Sequence, residues 1–183
     1  SVLMSLYSKE KPIALEQSFQ SIWENQSTQP NEIILVCDGP ITEKLGNVVH
    51  IWQRKLGSVL KVIRLPNNVG LGKALNEGLK HCSNEWVFRM DTDDICKSDR
   101  FEKQIQYIKS NPDIVLFGGQ ILEFNNDISE ANILKIVPTQ LNEILKFSKY
   151  RSPFNHVTVA YKKSIIEKVG GYQHHLFMED YNL

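Results

Sequence analysis

The sequence has 183 residues and a mass of 21.1 kDa, with 21 Lys and Arg against 21 Asp and Glu and an apolar share of 42%. That length suits one domain, or one with a fragment of another, and buries about 70% of the unfolded surface, so folding needs neither disulfides nor a structural metal. The balanced charge speaks against a general nucleic-acid binder, no apolar run reaches the ~18 residues of a membrane span, and no signal peptide is expected.

Val2-Leu3-Met4-Ser5-Leu6-Tyr7 is a short apolar run cut off by polar residues, the pattern of a buried strand. Pro12 suits a helix first turn, and Ile13, Leu15, Phe19, Ile22 and Trp23 recur at helical spacing. Ile33–Cys37 is a β-branched run that ends in Asp38-Gly39-Pro40, a strand entering a turn. A helix over 41–57, a strand over 60–65, a helix over 71–82 and a strand over 85–90 follow. The last of these runs into Asp91-Thr92-Asp93-Asp94. Ser98 is expected to cap a helix through Ser110, stopped by Asn111-Pro112, and residues 114–124 read as a strand. The pattern then loosens into polar loop, with a helix near 139–149, a strand near 157–161 and a helix near 162–169.

Strands alternating with helices imply right-handed crossovers and a mostly parallel sheet covered on both faces, a three-layer α/β/α, Rossmann-like arrangement. Residues 1–125 read as a nucleotide-binding half and 126–183 as an acceptor-side half. The chain starts at Ser1 inside an apolar run and stops at Leu183 just after an acidic pair, so it reads as a C-terminally truncated piece of a longer protein. Cys37, Cys82 and Cys96 are odd in number and lack metal-ligand spacing, which points to a reducing, cytoplasmic compartment and to packing roles.

In an open parallel sheet, ligands bind outside the carboxyl ends of the strands, and the acids fall there. Asp38 ends the second strand and Asp91, Asp93 and Asp94 follow the fourth. Crowded carboxylates repel by roughly 1 kcal/mol per pair at ~4 Å in water, and a divalent cation such as Mg²⁺ or Mn²⁺ removes that cost. A solvated acidic turn is the plainer alternative, and placement at the end of a buried strand favours the cation. If the run stays extended, Asp91 and Asp93 point to one side and Asp94 to the other.

Two look-alike motifs fail. Gly70-Leu71-Gly72-Lys73-Ala74-Leu75 lacks the third glycine of a dinucleotide fingerprint. It is not a phosphate-binding P-loop either, because Asn67 stands where the first glycine belongs and Ala74 where Ser or Thr holds Mg²⁺.

With Asp38-Gly39, Asn67-Asn68-Val69-Gly70 and the Asp91–Asp94 cluster in this order, the sequence resembles family-2 glycosyltransferases of GT-A fold. It is most similar to bacterial exopolysaccharide, capsule and lipopolysaccharide sugar transferases, over essentially the whole chain. The resemblance implies that Asp38 contacts the nucleotide base, usually uracil, while Ser8, Asn68 and Gly70 flank the nucleotide. It implies that Asp91 holds the ribose or a metal-bound water, and that Asp91 and Asp93 form the Asp-x-Asp site for Mg²⁺ or Mn²⁺ on the diphosphate. Asp94 continues the acidic tail of that motif, and Arg100 matches an arginine frequent after it. Gly170-Gly171-Tyr172 followed by Glu179-Asp180 looks like the acceptor-side motif, with Asp180 as catalytic base and Glu179 positioning a hydroxyl. Ser152–His156 looks like the loop lining donor sugar and acceptor, which brings in Asn155 and His156. Two positions depart from the family: Cys37 replaces an Asp, and Leu75-Asn76 replaces Arg-Asn, so Lys73 is the cation left to meet the phosphates.

One base and no protein nucleophile imply single displacement with inversion, from a nucleotide-diphosphate sugar (a UDP-sugar by the family) to a glycan or lipid-linked acceptor. The alternatives are a non-catalytic nucleotide-sugar-binding domain and a metal-dependent phosphohydrolase. The latter wants its Asp-x-Asp near the first strand. Between Lys135 and Lys168 seven basic residues face two acidic ones, either a solvated helix face or a surface for an anionic lipid diphosphate at the inner face of the membrane. His174-His175 reads as a solvated loop pair, His50 and His81 as surface residues, and Trp23, Trp52 and Trp86 as packing residues.

Overall fold

The computed structural model describes residues 1–124, 128–130 and 133–173. Its main sheet has six strands in the order β3-β2-β1-β4-β8-β5: β1 Val2–Leu6, β2 Ile33–Cys37, β3 Leu60–Arg64, β4 Trp86–Arg89, β5 Leu116–Phe117 and β8 Ala160–Lys162. The first four pair in parallel, with Val2 opposite both Ile33 and Phe88. β8 is antiparallel to both neighbours. A separate hairpin joins β6 Ile121–Glu123 to β7 Ile133–Lys135.

Side-chain alternation along the strands builds two core layers. On one face Val2, Met4 and Leu6 of β1 and Ile33 and Leu35 of β2 pack against α1 (Pro12–Ile22), α2 (Glu43–Leu56) and α4 (Arg100–Ser110). On the other, Leu3, Ile34, Val36 and Val87 meet α3 (Leu71–His81) and α6 (Lys163–Lys168). β2 is buried at every position, as its continuous apolar run requires. α3 can lie this close because of Gly78. A Cβ there would stand 2.5 Å from Leu3 Cδ1 and 2.7 Å from Val36 Cγ2.

Three sequence expectations need correcting. The strand expected over 114–124 is two strands, β5 and β6, because Gly118-Gly119 carries the chain past Thr158, whose hydroxyl accepts the Gly119 N–H at 2.8 Å. Ser98 does not cap α4. That helix begins at Arg100 behind Asp99, and the Ser98 carbonyl accepts the Ser27 N–H instead. The strand near 157–161 is a short 3-10 turn, His156–Thr158, followed by β8. The helix near 139–149 is present as α5, Leu141–Phe147. All three cysteines are free and buried, and Trp52 is buried in the core. Among the described residues, no helix is long and apolar enough to cross a membrane.

Candidate functional site

The strand order reverses between β1 and β4, so a crevice opens outside their carboxyl ends. Residues from both ends meet there. Asp91, Asp93 and Asp94 follow β4, and Glu10 lies in the turn after β1. The Glu10 carboxyl is pushed up to about 7, by burial first and then by the charges of Asp93, Asp91 and Asp94. Burial, then Asp91 and Asp93, push Asp94 up to about 6, and Asp93 is raised by the partial desolvation of its carboxyl and by Asp91. Four carboxylates therefore share one field. Sequence reasoning missed Glu10, whose only signal is an acidic residue just past the first strand.

The acid run is not extended. Thr92 and Asp93 form a turn, held by buried Thr92, whose hydroxyl donates to the Ser5 carbonyl at 3.3 Å, and by Ser18 of α1, which donates to the Asp91 carbonyl at 2.9 Å. The alternation expected of an extended run is lost, and Asp91 and Asp94 line one cavity while Asp93 is exposed beside them.

Behind Asp91 stands a second residue the sequence reading missed. Arg89, the last residue of β4, is fully buried. Its Nη2 is ion-paired to Asp91 Oδ1, and its Nη1 donates to the carbonyls of Met90 and of Leu3, the latter at 3.3 Å. Arg100, expected near the motif, supports the same strand end by donating from Nη2 to the Arg89 carbonyl at 2.8 Å. The signal for Arg89 was a charged residue in an otherwise apolar strand, two positions before the acids.

The β2 end is organised differently. Asp38 is buried, and both its oxygens are engaged: Oδ1 accepts the Val69 N–H at 2.7 Å and Oδ2 the Gly70 N–H at 3.0 Å. Asn68 donates to the Asp38 carbonyl at 3.3 Å. Gly70 takes φ 89° and Gly39 φ 84°, values that glycine adopts without strain, and a Cβ on Gly39 would lie 2.6 Å from Asn68 N. Asp38, Asn68 and Gly70 thus form one tight corner leading into α3, with Lys73 and Ser8 exposed.

The cavity holds about 520 Å³. Asp91 and Asp94 share it with Asn155 and His156, so the structure brings the acid run and the Ser152–His156 loop together. The Asn155 amide is spent on scaffolding, donating to the Gly119 carbonyl at 2.9 Å. His156 Nε2 lies 3.2 Å from the Tyr172 hydroxyl, which in turn donates to the Tyr161 hydroxyl at 3.3 Å. Burial, and then the Arg89 charge, push the His156 imidazole down to about 3, so it is neutral at physiological pH. Asn76, the Asn retained where the family often carries Arg-Asn, anchors this region. Its side chain donates to the Tyr172 carbonyl and accepts the Tyr172 N–H, both at 2.8 Å. Asp180, Glu179 and His174-His175 lie outside the described residues.

Among the described residues, no three His, Cys, Asp or Glu side chains are arranged to hold a metal ion alone. The donor set is nonetheless hard oxygen, and its mutual repulsion is what a cation relieves. It suits Mg²⁺ or Mn²⁺, which take one or two carboxylates and complete their shells with water and substrate phosphate oxygens.

The chain matches the Glycosyl transferase family 2 profile over residues 1–170. It belongs to that family. Over its full length it is 52% identical to an uncharacterized glycosyltransferase of Haemophilus influenzae, covering 67% of that protein. It is 48% identical to the amylovoran biosynthesis glycosyltransferase AmsE of Erwinia amylovora, again over the whole chain and 67% of the relative. The figure is 42% for the UDP-Gal:alpha-D-GlcNAc-diphosphoundecaprenol beta-1,3-galactosyltransferase of Escherichia coli, of which the whole chain covers 65%. Among solved structures, S. aureus TarS 1-349 in complex with UDP superposes with a TM-score of 0.72 at 19% identity, over 100% of this chain and 54% of that one. The mannosyltransferase PcManGT of Pyrobaculum calidifontis, in complex with GDP-Man and Mn²⁺, does so at 0.66 and 16%, over 94% and 47%. These likenesses establish the GT-A fold. The chain spans about two thirds of the length of these relatives and about half of these solved chains.

Proposed function

We propose that this family-2 domain binds a UDP-sugar with a divalent cation and transfers the sugar, with inversion, to a lipid-linked saccharide in surface-polysaccharide synthesis. The carrying observation is the crowding of Asp91, Asp93, Asp94 and Glu10 at the switch point of the sheet, with Asp91 and Asp94 opening onto the same cavity as the Ser152–His156 loop. The UDP bound in TarS and the lipid-linked acceptor in the name of the E. coli relative support the substrate classes. The GDP-Man and Mn²⁺ bound in PcManGT support the metal.

In this reading Asp38 fixes the corner that receives the base, flanked by Ser8, Asn68 and Gly70, and Lys73 meets the phosphates. Asp91 orients the ribose or a water, and Asp91 and Asp93 are the metal ligands. A divalent cation, when bound, supplies Lewis-acid stabilisation of the departing diphosphate. Neutral His156 and the loop with Asn155 set the sugar wall of the cavity. Asp180 takes the proton from the acceptor hydroxyl as it attacks the anomeric carbon, the C–O bond to UDP breaks from the opposite side, and Glu179 orients the acceptor. Lys135 and Arg151, with Ile136, Phe147 and Tyr150, line the remaining cavity wall and suit a diphosphate on an apolar carrier at the cytoplasmic membrane face.

The test is a transfer assay on the complete protein with UDP-sugars and a polyprenyl-diphosphate-linked acceptor, the product's anomeric configuration being read by NMR. An inverted linkage is expected. A retained linkage refutes the single-displacement mechanism, and nucleotide binding without turnover favours the non-catalytic alternative.

A further inference from the structure

Arg89 is a full charge placed inside the sheet, and its setting is costly. The residue has no exposed surface, and its Nε has no hydrogen-bond partner among the described residues. A buried guanidinium left partly unsatisfied is an unfavourable arrangement, and its structural role lies in what its remaining donors hold. Those donors converge on the strand end: Nη1 on the carbonyls of Leu3 and Met90, Nη2 on Asp91 Oδ1. Leu3 lies opposite Arg89 in the parallel register, so the fork ties β1 to β4 across the switch point and grips the first acid of the run.

We propose that Arg89 is a positioning residue for the donor site: it fixes Asp91 by one oxygen and presents the other, Oδ2, to the ligand. This inference rests on the reading of Asp91 as a donor-site residue. Asp91 Oδ2 has no hydrogen-bond partner among the described residues, whereas Oδ1 is ion-paired to Arg89. The planar fork is what allows one side chain to reach two carbonyls and a carboxylate together, which a lysine does not reproduce. The geometry divides labour within the acid run. Asp91 carries a buried countercharge and a fixed orientation, while Asp93, within the turn itself, is exposed without such a partner. Ser18 and Thr92 pin the backbone of the same turn, so Arg89 is the contact that selects the Asp91 side-chain orientation.

The test is a double-mutant cycle on Arg89→Met and Asp91→Asn with two readouts, thermal unfolding without ligand and UDP affinity in saturating Mn²⁺ by calorimetry. The expected results are a non-additive loss of melting temperature and a UDP affinity about tenfold weaker in either single variant. The double variant should bind UDP within about twofold of Asp91→Asn alone, because both changes remove one contact. Multiplying losses near 100-fold, an unchanged affinity, or a rise caused by removing a positive charge from a cation site would each overturn the proposal. If Arg89→Met does not fold, Arg89→Lys takes its place in the cycle, with the same non-additivity expected and additivity overturning the idea. If the unaltered chain binds no nucleotide, the transferase reading fails, and the ligand-free cycle alone decides whether Arg89 holds Asp91.

Discussion

Asp38 grips Gly70 from 32 positions away, its Oδ2 accepting the N–H of the residue before α3 at 3.0 Å while Oδ1 takes Val69 at 2.7 Å. A carboxylate with both oxygens filled by one loop shapes the corner that leads into α3 rather than standing free within it. Asp38→Ala should leave two partly buried N–H groups unpaired and cost about 2 kcal/mol in urea unfolding, with Asp38→Asn costing roughly half as much. A loss below about 0.5 kcal/mol for the alanine variant would contradict the role.

Asn76 and Gly171 form a matched pair. Gly171 has φ 72°, and a Cβ on it would sit 2.5 Å from Asn76 Oδ1. Asn76→Ala loses both hydrogen bonds to the Tyr172 backbone, a cost of about 1–2 kcal/mol. Gly171→Ala should cost more, adding a left-handed conformation to the clash. In the Asn76→Ala background its cost should shrink to the conformational part alone, a coupling that denaturant titration of the four proteins measures.

Glu10 gives the site a signature in pH. Its folded value of about 7 lies above the ordinary 4.5, so the native state binds this proton more tightly than the unfolded chain does. That contribution is complete below pH 4.5 and disappears as pH rises through 7. In the absence of metal, Glu10→Gln should melt with the parent near pH 4 and above it at pH 8. A gap that stays constant across this range would remove Glu10 from the acid cluster.

As the proposed base, Asp180 should separate binding from chemistry. Asp180→Asn in the complete protein should lower kcat by about 10²- to 10⁴-fold and leave UDP affinity within about twofold. Equal losses in both would mean that the residue shapes the donor site and is not the base.

Much of this architecture was legible in the sequence because it is local. The apolar run of β2 and the helical spacing of α1 and α3 depend on neighbours a few positions apart, and the acids after β4 are contiguous. The position of β8 was not legible, since Ala160 pairs with both Phe88 and Phe117, contacts made only once the chain has returned. Nor was the break between β5 and β6, which depends on Thr158 meeting Gly119. The site followed the same division. The Asp-x-Asp run and its strand end could be read directly, but Glu10 joins it across the switch point and Arg89 reaches it from inside the sheet. Whether Asp91 pairs with Asp93 or with Asp94 on the cavity side was decided by a turn that Thr92 and Ser18 hold through residues far away in sequence.

The acid cluster is expected to bind a nucleotide diphosphate through a divalent cation. The direct measurement is the melting temperature of the chain with UDP, GDP, dTDP or CMP, each with and without Mn²⁺, in the parent and in Asp93→Ala. UDP at about 100 times its Kd should stabilise the parent by about 2.7 kcal/mol with Mn²⁺ present, and far less without it. Asp93→Ala should abolish the metal-dependent part of the shift. A panel in which no nucleotide moves the parent, or in which Asp93→Ala responds as the parent does, would rule out metal-bridged nucleotide binding at these acids.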